Sequence, residues 1–315
     1  MLITIGAFDG FHRGHQELLK LCRENADGNN WGVVSFWPHP AEYMHKFSHT
    51  LFTLRERELL RRVLNIPNMY ILEFSETLKN LHPHEFLRLL HERFGVDGLV
   101  MGRDFHFGIN REGSAEYLSR FYDGMNKIII ADLKDKQRFS SSRVRELLSA
   151  GKVEAASEIL GYSCFMEGKI TNGTHRGRTM HFPTANIDIN GRIIPADGVY
   201  SSAVLVNGGW HCGAVSIGNN PTFHDVHETR FEVHILGFEG NIYGEELPVF
   251  FLGRVRDMHT FPDKDALIAQ IAHDTQTCRK IYDDAMNIPE TSKFLERAAR
   301  FYDTQTLTPE IIRLV

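Results

Sequence analysis

Two closely spaced imidazoles open the chain's chemistry. In Thr4-Ile-Gly-Ala-Phe-Asp-Gly-Phe-His-Arg-Gly-His15, His12 and His15 stand three residues apart. That spacing puts both on one face of a first helical turn. The apolar Met1-Leu2-Ile3 and Ile5 read as a short buried strand. Gly6 and Gly10 permit a tight turn, and Gly14 removes a side chain where a ligand could approach the backbone. Strand, glycine-rich turn and helix start make a phosphate site, because unpaired N–H groups and the positive dipole end face the ligand. The imidazoles would donate hydrogen bonds to phosphate oxygens. The motif lacks the Gly-Lys-Ser/Thr of a P-loop and the Gly-x-Gly-x-x-Gly of a dinucleotide site. Without its surroundings, the pair would equally suit two exposed histidines on a βα turn.

Other stretches carry complementary chemistry. Phe139-Ser-Ser-Ser-Arg-Val-Arg145 sets Ser141, Ser142, Arg143 and Arg145 at a helix start. Hydroxyls, N–H groups and guanidinium forks there suit a polyphosphate; a serine-capped helix with solvated arginines is the plainer reading. In Gly102-Arg-Asp-Phe-His-Phe-Gly108, Phe105 and Phe107 alternate beside Asp104. They suit a planar heterocycle with a metal or ribose contact, or edge-strand packing. Pro38-His-Pro40 ends a strand where open α/β sheets place ligands. In Phe182-Pro-Thr-Ala-Asn186, Thr184 and Asn186 share one side of an extended chain. Their oxygens suit Mg²⁺. Glu232, between Phe231 and Val233 on a strand, could accept a proton from a substrate alcohol, or be a solvated strand-face glutamate.

The elements that must position these residues change character midway. Strands at 31–36, 68–74, 98–102 and 127–132 alternate with helices at 15–24, 53–64, 83–94 and 139–148. Thr53 and Glu56 form a capping-box pair. This alternation implies a mostly parallel sheet. After a short helix at 153–160, strands at 164–171, 182–187, 199–206, 210–217, 230–236 and 247–254 are spaced as in a small antiparallel barrel. A helix at 262–282 closes it, and another at 290–302 follows. The predicted organisation is an α/β domain over 1–158, which through His12-Arg-Gly-His15 on its βα turn resembles the nucleotidyltransferases, a β-barrel over 159–286 and a helical tail over 287–315 of unassigned role.

With 315 residues, two domains are natural. The net charge of −5 disfavours a general nucleic-acid surface. No apolar run is long enough to cross a membrane and no signal peptide is visible. Cys22, Cys164, Cys212 and Cys278 form no Cys-x-x-Cys pair and read as reduced thiols of a cytoplasmic protein.

Four motifs in order, Gly6 to His15, Ser35-Phe-Trp-Pro-His-Pro40, Gly102 to Gly108 and Ser140 to Arg145, resemble the FMN adenylyltransferase module of the bacterial bifunctional riboflavin kinase/FAD synthetases. That module belongs to the nucleotidyltransferase superfamily. The second half resembles their riboflavin kinase domain through Gly177-Arg178, Phe182 to Ile187, Asp197-Gly-Val-Tyr200, Ile217 to Phe223 and Phe231-Glu-Val-His-Ile-Leu236, continued by Tyr243-Gly244, Arg256 and Phe261. The resemblance implies two reactions: riboflavin and ATP give FMN and ADP, then FMN and ATP give FAD and pyrophosphate. It implies catalytic roles for His12, His15 and Glu232. It implies nucleotide contacts from Gly6, Phe8, Asp9, Gly14, Asp104, Ser141, Ser142, Arg143 and Arg145, and Mg-ATP held by Thr184 and Asn186. A loop including Gly173 and Gly177 would cover ATP, and Phe105, Phe107, Arg256 and Phe261 would face flavin. Departures fall at Ala7, Ser142, Met180, His181, Gly237 and the segment Met258 to Thr260. The chain also starts closer to the first strand than members of that family usually do, so that strand's edge is expected to be exposed. The alternatives are one retained activity, adenylylation or cytidylylation of another phosphate, or a non-catalytic flavin-binding regulator. The oligomeric state is left open.

Overall fold

The computed structural model describes residues 1–46, 49–121, 124–132, 139–171, 182–189, 192–218, 229–302 and 309–313. The chain divides into two compact units, Met1–Ser141 with Gln305–Val315, and Ser142–Thr304.

Among the described residues of the first unit, β1 (Leu2–Ile5), β2 (Trp31–Trp37), β3 (Asn68–Glu73), β4 (Gly98–Gly102) and β5 (Lys127–Ala131) alternate with six α-helices. These are α1 (Arg13–Asn25), α2 (Pro40–Tyr43), α3 (Leu54–Val63), α4 (Glu76–Lys79), α5 (Pro83–Phe94) and α6 (Ala115–Phe121). The strands pair in the order β3-β2-β1-β4-β5, all parallel. The first strand is therefore central, flanked by β2 and β4, and has no exposed edge. Its position follows from the doubly wound order, in which the chain starts mid-sheet and winds outward both ways. The direction reverses beside β1, so the carboxyl ends of β1 and β4 flank the switch point where such sheets bind ligands. Strand β4 is buried along its whole length, as expected where helices cover both faces. Ile3, Ile5, Leu72, Leu87, Leu90 and Leu99 form the core on one face. At α3 the capping box closes, with Thr53 N–H donating to Glu56 at 2.7 Å and Glu56 N–H to Thr53 Oγ1 at 3.3 Å. At the end of α5, Gly95 adopts φ 63°, a left-handed cap that glycine takes without steric cost.

The second unit begins with α7 (Ser141–Ser149), whose first residue belongs to unit one, and α8 (Val153–Leu160). Strands β6 (Phe165–Thr171), β7 (Ala185–Ile187), β8 (Gly198–Val206), β9 (Gly209–Gly218), β10 (Arg230–Ile235) and β11 (Glu246–Arg256) close a barrel in the order β10-β7-β6-β11-β8-β9. Every pairing is antiparallel. Along β10, Phe231, Val233 and Ile235 are buried while Glu232 and His234 are half-buried. Period-two alternation therefore gives the last pair the opposite face. Helix α9 (Lys264–Met286) packs against β8, β9 and β11. Helix α10 (Pro289–Tyr302) sets Phe294 against Tyr162, ring centroids 5.0 Å apart. The chain's last described strand, β12 (Ile311–Ile312), then pairs in parallel with β3 of the first unit's sheet, making it six-stranded. The sequence pattern predicts the helix at 290–302 but not this strand.

Candidate functional site

The turn after β1 is held in a strained shape. Phe8, Gly10 and Phe11 have φ of 44°, 98° and 41°; only glycine enters that region freely, so the two phenylalanines store local strain. Both are buried and stacked, centroids 5.4 Å apart. Gly6 lacks a positive φ; a side chain there would meet the Phe8 ring at 3.2 Å. At Gly14, an added Cβ would meet the His12 ring at 3.3 Å and the Phe139 carbonyl at 3.4 Å. The room at that glycine therefore serves the chain's own packing.

His12 is the N-cap of α1, and its Nδ1 accepts the His15 N–H at 3.4 Å. In the neutral ring the proton is then on Nε2, which can donate. Burial lowers its pKa to about 4, with Asp9 opposing the shift. The His15 ring stacks on His12 at 3.7 Å, and its Nδ1 is buried without a hydrogen-bond partner. Burial first, then His12, Arg57 and His39, hold the His15 pKa well below the ordinary value. The stacked pair thus sits in surroundings that disfavour a positive charge on His15, which an anion would offset.

Asp9 turns inward. Its carboxylate accepts the Leu51 N–H at 3.0 Å and the Phe52 N–H at 3.3 Å. It also meets Arg57 at 3.4 Å, with both side chains fully buried. Arg57 in turn donates to the carbonyls of Ala7 at 3.2 Å, Phe36 at 3.4 Å and Phe52 at 3.3 Å. Its guanidinium lies 5.3 Å from the Trp37 ring. One side chain therefore joins the motif turn, the end of β2 and the start of α3. Sequence reading passed over Arg57 because Arg55-Glu-Arg-Glu58 looks like a solvated helix face. The departure at Ala7 leaves these contacts intact, since its carbonyl is what Arg57 and the Ser35 hydroxyl, at 2.9 Å, both use.

Ser141 Oγ donates to the Asp9 carbonyl at 2.7 Å, fixing the start of α7 to the motif turn. Ser142 and Arg143 are exposed and Arg145 half-buried, and these three are counted with the second unit. Arg143 also pairs with Glu146 at 2.8 Å. Asp104 is exposed after β4, and its carbonyl bonds the His106 ring at 2.8 Å. Phe107 belongs to the core and packs on Phe86 at 5.7 Å, while Phe105 is half-buried against that core. Of the two, Phe105 alone presents substantial area to a ligand.

In the barrel, register brings the other motif together. Glu232 pairs opposite Asn186 across β10 and β7, and Thr184 Oγ1 donates to Glu232 Oε2 at 3.4 Å. All three are half-buried. Hydroxyl, amide carbonyl and carboxylate form an all-oxygen donor set that fits a hard divalent cation. Thr184 lines a cavity of about 180 Å³ with Pro183, Val233, Ile235, Phe238 and Tyr243. His234, two residues from Glu232 on the same face, lines a groove of about 410 Å³ with Phe182, Leu236, Thr275, Gln276 and Arg279. Arg256 is committed to Asp274 through contacts of 2.7–3.0 Å and lies 5.7 Å from the Phe261 ring. Its fork shapes the turn after β11. Gly173 and Gly177, with Met180 and His181, lie outside the described residues.

Two sequence models match the chain, riboflavin kinase over residues 160–282 and FAD synthetase over residues 1–143. The chain is 33% identical over 289 residues to the bifunctional riboflavin kinase/FMN adenylyltransferase of Listeria monocytogenes, covering 89% of this chain and 92% of that protein. It is 32% identical over 294 residues to the Escherichia coli K12 protein of the same name, covering 89% and 92%. A crystal structure titled a macrolide-efflux protein from Streptococcus pneumoniae matches with a TM-score of 0.78 at 32% identity, over 88% of this chain and 93% of that one. Among the described residues, no helix is long and apolar enough to cross a membrane.

Proposed function

The chain belongs to the family of bifunctional riboflavin kinase/FMN adenylyltransferases, and on that premise we propose that its barrel phosphorylates riboflavin and its first unit adenylylates the resulting FMN. The observation that carries the kinase half is the register that sets Glu232 opposite Asn186 with Thr184 at 3.4 Å. The ribityl 5′-hydroxyl attacks the γ-phosphorus of ATP, the bond to the β-phosphate oxygen breaks, and ADP leaves. Glu232 accepts the hydroxyl proton. Thr184 and Asn186 hold the phosphate end of the nucleotide with its magnesium ion, which when bound offsets phosphate charge. The cavity beside Thr184 takes the rest of the nucleotide. The turn shaped by Arg256 and Phe261 takes the flavin.

In the first unit, a phosphate oxygen of FMN attacks the α-phosphorus of ATP and pyrophosphate leaves. FMN brings its own nucleophile, so the protein positions groups and stabilises charge. His12 donates from Nε2, and the buried His15 Nδ1 gains a partner when phosphate arrives. Asp9 acts through the loop it fixes. The buried cysteine thiols at 22, 164, 212 and 278 suit a reducing cytoplasm.

The test is chromatography of flavins after incubation with riboflavin and magnesium ATP. FMN followed by FAD is expected; FMN alone refutes the second activity, and unchanged riboflavin refutes both. Glu232→Ala should lose FMN formation by about 10²–10⁴-fold, the range for a lost general base, yet still make FAD from supplied FMN. His15→Ala should reverse that pattern, losing about 10²–10³ in FAD formation. Equal loss of both activities in either variant would refute the division of labour.

A further inference from the structure

We propose that His234 is a positioning residue of the kinase site, its side chain donating a hydrogen bond to the Pro183 carbonyl just beyond the end of the strand ladder. The proposal rests on the assignment of Glu232 and Thr184 to that site. Strand β7 pairs with β10 at Asn186–Glu232 and Ala185–Val233. One further step would set Thr184 opposite His234. The residue before Thr184 is Pro183, which has no N–H and a fixed φ, so the ladder stops there. Thr184 is nevertheless the residue whose hydroxyl must stand against Glu232.

The His234 ring bridges the gap. Its Nδ1 lies 2.8 Å from the Pro183 carbonyl oxygen. A carbonyl only accepts, so Nδ1 carries the proton. The Phe182 ring meets the imidazole edge-on, centroids 5.5 Å apart at 83°, a geometry aromatic rings prefer. Phe182 and Pro183 are thus both tied to a strand residue two positions from the base. The effect is to fix the entry to β7, and with it the Thr184 hydroxyl. His234 therefore acts through Thr184, apart from the reacting atoms.

The experiment uses three variants of the full chain, assayed for FMN formation from riboflavin and for FAD formation from supplied FMN. In His234→Asn the amide nitrogen takes the place of Nδ1 and keeps the bond to Pro183. In His234→Gln the amide reaches the Nε2 position and loses it, and His234→Ala loses it outright. We expect the Asn variant within about threefold of wild type. The Gln and Ala variants should raise the KM for ATP in FMN formation about tenfold, the worth of one hydrogen bond, with the KM for riboflavin and FAD formation unchanged. The proposal is overturned if Gln behaves like Asn, if Asn fails like Ala, if only the riboflavin KM moves, or if FAD formation falls in step. Glu232→Gln is measured in parallel. If it still forms FMN at the wild-type rate, the assignment of the kinase site fails, independently of the His234 series.

Discussion

His12 is neutral at physiological pH because burial removes the water its charge would need, bringing its pKa to about 4. The unfolded chain titrates the same ring near 6.5. Between these values the unfolded state binds the proton more readily, so this group's contribution is complete above pH 6.5 and lost as pH falls through 4. The full loss is about 3 kcal/mol. Urea titrations at pH 7 and pH 4.5 should show His12→Gln losing less stability on acidification than wild type; parallel losses would refute the assignment. Arg57 makes a second prediction. Removing one partner of a buried ion pair leaves the other charge unmatched, at about 3–5 kcal/mol. Arg57→Met should therefore lower the thermal transition and abolish FAD formation, while FMN formation persists below the transition. The contrast between the two residues explains what the sequence could disclose. His12, His15, Thr184 and Glu232 stand out as candidates in the sequence because each sits in a short local motif. Arg57 was hidden because its partners, Ala7, Asp9 and Phe36, are distant in sequence. Phe107 misled because alternation alone cannot separate a ligand platform from a core strand, and the structure packs it on Phe86.

Element boundaries followed local signals wherever these were strong. The capping box at Thr53 and Glu56 and the left-handed Gly95 and Gly161 mark helix ends that pattern reading also found. Helices α2 and α4 have four residues each, too few for a 3.6-residue period to register. The two-residue β12 is harder still. Its strand character comes from pairing with β3, and sheet propensity depends strongly on such context. Ile311 and Ile312 stand opposite Ile71 and Leu72, and Arg313 reaches Glu73 at 3.7 Å. Without β12, β3 becomes the sheet edge, with unpaired backbone groups open to other chains. Ending the chain after Tyr302 should therefore lower the temperature at which FAD formation is lost, with FMN formation less affected. Assaying both activities after graded heating measures this, and equal shifts would show that the strand contributes nothing particular to the first unit.

On the scale of the whole molecule, two reactions in series share one chain, with FMN as product of one and substrate of the other. The oxygens proposed for the kinase step, on Glu232, Asn186 and Thr184, belong to the second unit. The imidazoles and the buried Asp9–Arg57 pair belong wholly to the first. Neither catalytic group of one reaction is a structural support of the other, so each can be removed separately. That independence yields a test of how FMN travels. Mixing equal amounts of Glu232→Ala and His15→Ala chains gives a solution in which no single chain completes both steps. If FMN leaves the barrel and rebinds from solution, the mixture makes FAD from riboflavin after a lag in which FMN accumulates, and diluting both proteins lengthens the lag. We expect this outcome, because Glu232 and His15 lie in different units. A mixture that makes FMN but no FAD, while His15→Ala alone makes FMN and Glu232→Ala alone converts added FMN, would mean that FMN is passed within a single chain without being released.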